Sequence, residues 1–257
     1  MNISILIGWG LSIGLVVFGM LNGGDLGNFV DIPSLAITVG GTFGGLIASF
    51  PLSMLKNIGK WFKAALFPPK YDPKKYIDEL VEYAKIARSQ GLLQLEDSAN
   101  KAADPFMKKA LMLIVDANDA EKVREMLEEA IDYTEARHAS ARAFFEKGVA
   151  LGPAFGMLGT LVGLVNMLMV MNENPDSLGQ SMATALITTF YGSFLANILF
   201  APLEHALKVA SENEILCMQI ITSGVLAIAA GSNPALIREK LEFMLPKSLT
   251  ANADEKK

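Results

Sequence analysis

Histidine, cysteine and charge are scarce in this chain, and each scarcity excludes something. Cys217 is the single cysteine among 257 residues, so there is no intramolecular disulfide framework and no Cys-x-x-Cys metal site. The two histidines, His138 and His205, fall in charged helical stretches and read as surface side chains, too few for an imidazole-based metal site. Charged residues make up 19% of the chain, against about 25% in an ordinary soluble domain, while 51% of the chain is hydrophobic. With 22 Lys and Arg against 27 Asp and Glu and a pI near 5.2, the chain lacks the basic footprint of a nucleic-acid binder. The apolar segments hold no Ser/His/Asp set, metal cluster or glycine-rich phosphate loop, which argues against a membrane enzyme. No stretch alternates as a strand does, and the expected fold is all-α.

Four stretches are long and apolar enough to cross a bilayer, which takes roughly 20 residues. They run from Ile3 to Leu21, Ile32 to Leu55, Gly148 to Met171 and Leu178 to Leu203. The first lacks the basic n-region and small-residue cleavage site of a signal peptide and reads as a retained span. The connections Asn22 to Asp31 and Asn172 to Ser177 contain no Lys or Arg, nor does the start of the chain. All basic residues fall in 56–147 or after 203. The positive-inside rule therefore puts those segments and both termini in the cytoplasm. The organisation is a span pair over 1–55, a cytoplasmic helical domain over 56–147, a second span pair over 148–203 and C-terminal helices over 204–257. Ile215 to Gly231 is apolar but short, and crossing would strand Arg238 and Lys240 outside, so it reads as a buried helix of the cytoplasmic part.

Leu55 to Phe67 interleaves Lys56, Lys60 and Lys63 with Trp61, Phe62, Leu66 and Phe67, a pattern suited to a helix lying in the membrane interface. Pro68 and Pro69 stop it. Asp72-Pro73 opens a helix with the apolar stripe Ile77, Leu80, Val81 and Ala84, ended by Gly91. Asp104-Pro105 opens another, and Asn118 with Glu121 has capping-box spacing. Beyond it Val123, Met126, Leu127, Ala130 and Ile131 recur at helical spacing, with no breaker before Gly148 and Pro153, so this helix runs on into the third span. The fourth span continues likewise past Pro202.

Small residues recur four apart in the spans: Gly10 and Gly14, Gly40 and Gly44, Gly41 and Gly45, Gly152 and Gly156, Gly159 and Gly163. Ser181, Ala185, Thr188, Gly192 and Ala196 form a similar stripe, and such spacing lets helix backbones approach closely in lipid. So many small faces exceed what packing within one chain needs and point to an oligomer. No span interior holds Asp, Glu, Lys, Arg or His. An ion carrier needs an intramembrane charge, so if this chain moves ions, another subunit supplies it. The polar groups on hand are Thr160, Asn166, Thr184, Thr188, Thr189 and Asn197, though a buried threonine also simply bonds its own preceding turn. Pro153 and Pro202 lie at the same membrane face, where paired kinks suggest hinges.

The run DIPSLAITVGGTFGGLIASFP, Asp31 to Pro51, resembles the second span of the MotA/PomA stator family. GPAFGMLGTLVGLV, Gly152 to Val165, resembles the third, and ALITTFYGSFLANILFAPL, Ala185 to Leu203, the fourth. IARSQGLLQLED, Ile86 to Asp97, resembles the charged cytoplasmic motif and GSNPALIREKL, Gly231 to Leu241, the C-terminal one. The resemblance covers nearly the whole chain. It implies a bacterial inner-membrane protein that assembles as a pentameric ring in membrane lipid around a MotB dimer, whose transmembrane Asp answers the missing carboxylate. It implies an ion pathway at Thr160, Thr188 and Thr189, functional prolines at Pro153 and Pro202, and rotor-facing charges at Arg88 and Glu96 that push the switch protein FliG. No cofactor, metal or nucleic acid is implied. Threonine at 160 departs from the proton-type pattern and matches the sodium-type one, and both ions stay open. An ExbB/TolQ-type energiser is a neighbouring reading, opposed by the span pair Ile3 to Leu55, and a membrane scaffold without ion coupling is a third.

Overall fold

A computed structural model describes residues 2–116, 119–171 and 178–245. The chain is all-α, with no strand among the described residues, and divides into two compact units. One holds the residues through Pro69 together with His138–Ala210; the other holds Lys70–Arg137 and the described residues from Ser211 onward. Four helices are long and apolar enough to cross a membrane: α1 (Ile3–Gly23), α2 (Ile32–Ser49), α7 (Ala120–Val170) and α8 (Leu178–Ala229).

In the first unit, α2 starts where Asp31 accepts a hydrogen bond from the Ser34 amide at 2.9 Å and Pro33 occupies the first turn. It ends at Ser49, six residues before the Leu55 expected from hydropathy. Phe50 precedes Pro51 and is forced into extended backbone (φ −130°, ψ 142°). A single turn at Leu52–Leu55 leads to the amphipathic helix α3 (Ile58–Leu66). Its apolar side sets Trp61 against Phe144 and Phe62 against Phe145, with centroids 5.8 and 5.2 Å apart, while Lys60 and Lys63 face outward. The Asn2 amide donates to the Leu66 carbonyl at 2.7 Å, fastening the start of α1 to the end of α3.

α7 runs unbroken for 51 residues, carrying Pro153 in its interior, as the missing breakers implied. α8 is continuous past Pro202, but Leu195–Phe200 winds as a π turn just before it. Proline has no N–H and its ring crowds the carbonyl four residues back, and the widened turn just before Pro202 makes room for both. A second π turn lies at Ala36–Gly40 of α2, without a proline. The glycines of α7 and the stripe on α8 meet directly. A β-carbon at Gly192 would lie 2.5 Å from the Gly152 carbonyl oxygen, and one at Gly163 2.8 Å from the Ala185 β-carbon. Gly41 and Gly45 of α2 receive Phe155 and Leu151 in the same way. Gly10, Gly14, Gly40 and Gly44 have nothing within 4 Å.

The second unit has an apolar core. α4 (Pro73–Gln90) is capped by Asp72, buries Ile77, Leu80, Val81 and Ala84, and stops at Gly91, whose φ of +88° a side chain would strain. α5 (Leu95–Lys101) and α6 (Pro105–Val115) follow. Asp104 caps α6 through the Phe106 and Met107 amides, at 2.8 and 2.9 Å, and also accepts from the Tyr76 hydroxyl at 2.9 Å. At the start of α7 the expected cap, Asn118, lies outside the described residues; Asp119 accepts from the Glu121 amide at 3.2 Å. Val123, Leu127 and Ile131 are buried as expected, but Met126 is 46% exposed and leaves the stripe. The apolar stretch after Ile215 packs Ile220, Ile221, Val225 and Ile228 into this core, beside Leu80 and Leu111. α9 (Pro234–Glu242), capped by Asn233, ties to α4 through Arg238 and Asp78, 2.7 Å apart.

Candidate ion-pathway site

The close approach permitted by Gly156, Gly159 and Gly163 brings threonines of α7 and α8 together. The Thr160 hydroxyl lies 3.1 Å from the Gly156 carbonyl oxygen, 3.0 Å from that of Ala185 and 2.5 Å from the Thr189 hydroxyl. One hydroxyl proton serves one acceptor well, so this cluster offers more oxygen lone pairs than protons, an arrangement suited to a hard cation or a protonated water. Thr160 is half-buried and Thr189 exposed, so the pair opens to the outside of this chain. Both stretches that carry it are free of Asp, Glu, Lys, Arg and His from Gly148 to Met171 and from Leu178 to Leu203.

Thr188 differs from its expected partners. It is fully buried, donates to the Ala185 carbonyl at 2.8 Å, and packs its methyl where a β-carbon on Gly159 would come within 2.4 Å. Its side chain thus fills the α7–α8 seam while Thr160 and Thr189 face out. Asn197 bonds back to the Ser193 carbonyl at 3.0 Å, and Asn166 is exposed.

A row of hydroxyls on α2 escaped the sequence reading. Ser34, Thr38 and Thr42 are fully buried. The Ser34 hydroxyl bonds the Asp31 carboxylate and lies 3.2 Å from the Thr184 carbonyl oxygen. Thr38 donates to the Thr188 carbonyl at 3.3 Å, and Thr42 to the Thr38 carbonyl at 2.6 Å. At the end of α2 that holds Asp31, the Tyr191 hydroxyl donates to the Phe29 carbonyl and the Asp31 amide approaches that hydroxyl at 3.4 Å. The signal was available as hydroxyls spaced four apart at 34, 38 and 42. These bonds hold the backbone of α8 at the residues flanking the threonine pair.

The other predicted residues lie apart from this cluster. Pro153 is exposed on α7 and Pro202 half-buried on α8. In the second unit Arg88 is exposed in the last turn of α4 and Glu96 in the first turn of α5, and among the described residues neither forms an ion pair.

Residues 6–91 match the motility protein A N-terminal model, and residues 98–220 match the MotA/TolQ/ExbB proton channel family. The N-terminal match covers the part that an energiser reading leaves unaccounted for. Motility protein A of Borreliella burgdorferi is 39% identical over 96% of this chain and 95% of its own length. The solved structure of C. jejuni MotAB superposes with a TM-score of 0.87 at 27% identity, covering 96% of this chain and 97% of that one. The flagellar MotAB stator complex from Bacillus subtilis gives 0.85 at 30% identity, covering 95% of this chain and 96% of that one. With four apolar helices the chain is a multi-pass membrane protein, and it is no enzyme. It belongs to the motility protein A family, the ion-channel stator subunits of the flagellar motor.

Proposed function

We propose that this stator subunit works by holding the Thr160–Thr189 oxygens against a carboxylate supplied by a MotB-type partner, since no span of its own interior carries an acid. The exposed hydroxyl pair is the observation that carries this reading. An ion arriving at the partner's Asp beside these oxygens neutralises it, weakens its hold on the polar face, and lets the ring step to the next subunit. One elementary charge crossing 100 mV releases about 2.3 kcal/mol, enough to bias each step but not to complete it irreversibly. The chain then forms a pentameric ring around a MotB dimer in the bacterial inner membrane, with both termini in the cytoplasm. The absence of Lys and Arg from 22–31 and 172–177 supports that orientation. Pro153 and Pro202 serve as hinges. Arg88 and Glu96, exposed and free of ion pairs among the described residues, face the rotor protein FliG.

The test is co-expression of the chain with its candidate MotB in a host without stators, with swimming speed followed as sodium and pH are varied separately. Thr160→Val and Thr189→Val are expected to stop swimming while the protein stays in the membrane at wild-type level. Speed that follows sodium makes the hydroxyl pair a sodium site. Speed that survives without sodium and fails with the proton gradient makes it a proton relay. Wild-type swimming by both variants would sink the assignment.

A further inference from the structure

The first unit contains a cavity of about 290 Å³ lined by apolar side chains alone. Phe43 and Ile47 of α2, Leu55 beyond it, Ile58 and Phe62 of α3, and Phe200 of α8 are among its walls. A cavity this apolar offers water no hydrogen-bond partner, and cavities lined by Leu, Ile and Phe at about half this volume stay dry and take apolar guests. Phe43 and Ile47 are 42% and 57% exposed, so the cavity opens toward the surroundings of the spans, where the apolar guest at hand is a lipid chain.

Charge says which lipid. From Ile32 to Pro69 the chain contains no Asp or Glu, and its charges there are Lys56, Lys60 and Lys63. All three are exposed, and none forms an ion pair among the described residues. Lys56 is the bonded neighbour of Leu55 in the cavity wall, and Lys60 and Lys63 stand on α3 away from the Ile58–Phe62 face. Basic side chains beside a membrane span attract anionic headgroups. We propose that the cavity is a binding site for one acyl chain of an anionic phospholipid, with Lys56 beside the cavity wall meeting its headgroup and Lys60 and Lys63, on the outer face of α3, adding the positive field that favours it. This rests on membrane insertion and not on ion coupling.

The site is tested on the full-length chain extracted into mild detergent from bilayers of either phosphatidylglycerol or phosphatidylcholine with identical acyl chains, with native mass spectrometry counting retained lipid. The expected result is one phosphatidylglycerol kept per chain, and at least about tenfold lower retention in the K56Q/K60Q/K63Q variant. Ile47→Trp, which fills the cavity from its open side, lowers retention of both lipids. A second readout avoids dependence on that packing variant. With Trp9→Phe, Trp61 is the sole tryptophan, and it stacks 5.8 Å from Phe144, another wall of the cavity. Its fluorescence is expected to stay quenched by a chain-brominated phosphatidylglycerol after bulk lipid is removed. Equal retention of the two lipids would overturn the headgroup assignment. No retained lipid, or a disulfide forming between copies through Ile47→Cys, would overturn the site by showing that it is empty or filled by a second copy.

Discussion

In the unit built from Lys70–Arg137 and the described residues from Ser211 onward, helices meet through Leu80, Leu111, Leu127 and Ile220, all essentially inaccessible. In the other, α7 and α8 meet through Gly152, Gly156, Thr188 and Gly192, while Leu161, Val165, Leu168 and Met169 point outward. Water sorts the first set: large apolar side chains go inside because leaving water is favourable. Lipid sorts nothing by apolarity, since an acyl chain is as comfortable a neighbour for Leu as another Leu, so close backbone contact and hydroxyl-to-carbonyl bonds decide the packing instead. The same chain is thus held together by large side chains in one unit and, along the α7–α8 seam of the other, by missing ones.

Substitutions can break this contrast in order of effect. Leu111→Ala empties a fully buried position and is expected to cost about 2–5 kcal/mol, read as a lowered urea midpoint for the helices of that unit. Gly192→Val pushes a side chain onto the Gly152 carbonyl and should cost about 1–3 kcal/mol or more, read by unfolding in detergent. Gly44→Ala, with nothing within 4 Å, should leave the same melt unchanged; an equal loss at both positions would dissolve the distinction between packed and open glycines. Thr38→Val removes the bond to the Thr188 carbonyl and is expected to cost about 0.6 kcal/mol, up to about 1.7.

The last test uses pH and reads the unit with the water-sorted core. Burial, and then the hydrogen bonds to Glu214 and Asp104, hold the Tyr71 and Tyr76 hydroxyls well above the ordinary phenol range. Their folded-state pKa is raised, so the neutral phenols contribute fully below about pH 10, the unfolded value. Above it the unfolded chain sheds protons that the folded one keeps, and stability falls as pH climbs. Tyr71→Phe and Tyr76→Phe should flatten that alkaline decline. The thiol of Cys217, buried and pushed up to about 12 mainly by desolvation, supplies the readout: alkylation stays slow until this unit opens.

Much of this was legible because caps and hydropathy are local. Asp72 and Asp104, each followed directly by proline, mark helix starts that the structure keeps, and the uninterrupted stretch after Glu121 is one helix. What hydropathy overran was the end of the second span, because Phe50 and Pro51 are apolar yet Pro51 dictates the backbone before it. Met126 fits the helical period but not the core. Thr160, Thr188 and Thr189 were singled out together, yet only depth in the α7–α8 seam tells the buried Thr188 from the outward pair. The Ser34, Thr38 and Thr42 row stayed hidden because Ser34 and Thr38 find their partners in carbonyls of a helix 150 residues away, and no residue type advertises a carbonyl.

The two π turns carry a consequence for how these helices keep phase. A π turn holds an extra residue in each revolution, and an α-helix advances about 100° per residue. If the turn at Leu195–Phe200 were drawn tight into α form, everything on one side of it would rotate by roughly that angle about the helix axis. Thr189 lies before the turn and Pro202 after it. Each π turn is in that sense a vernier: a quarter-turn of the helix face stored as one surplus residue, released without breaking the rod.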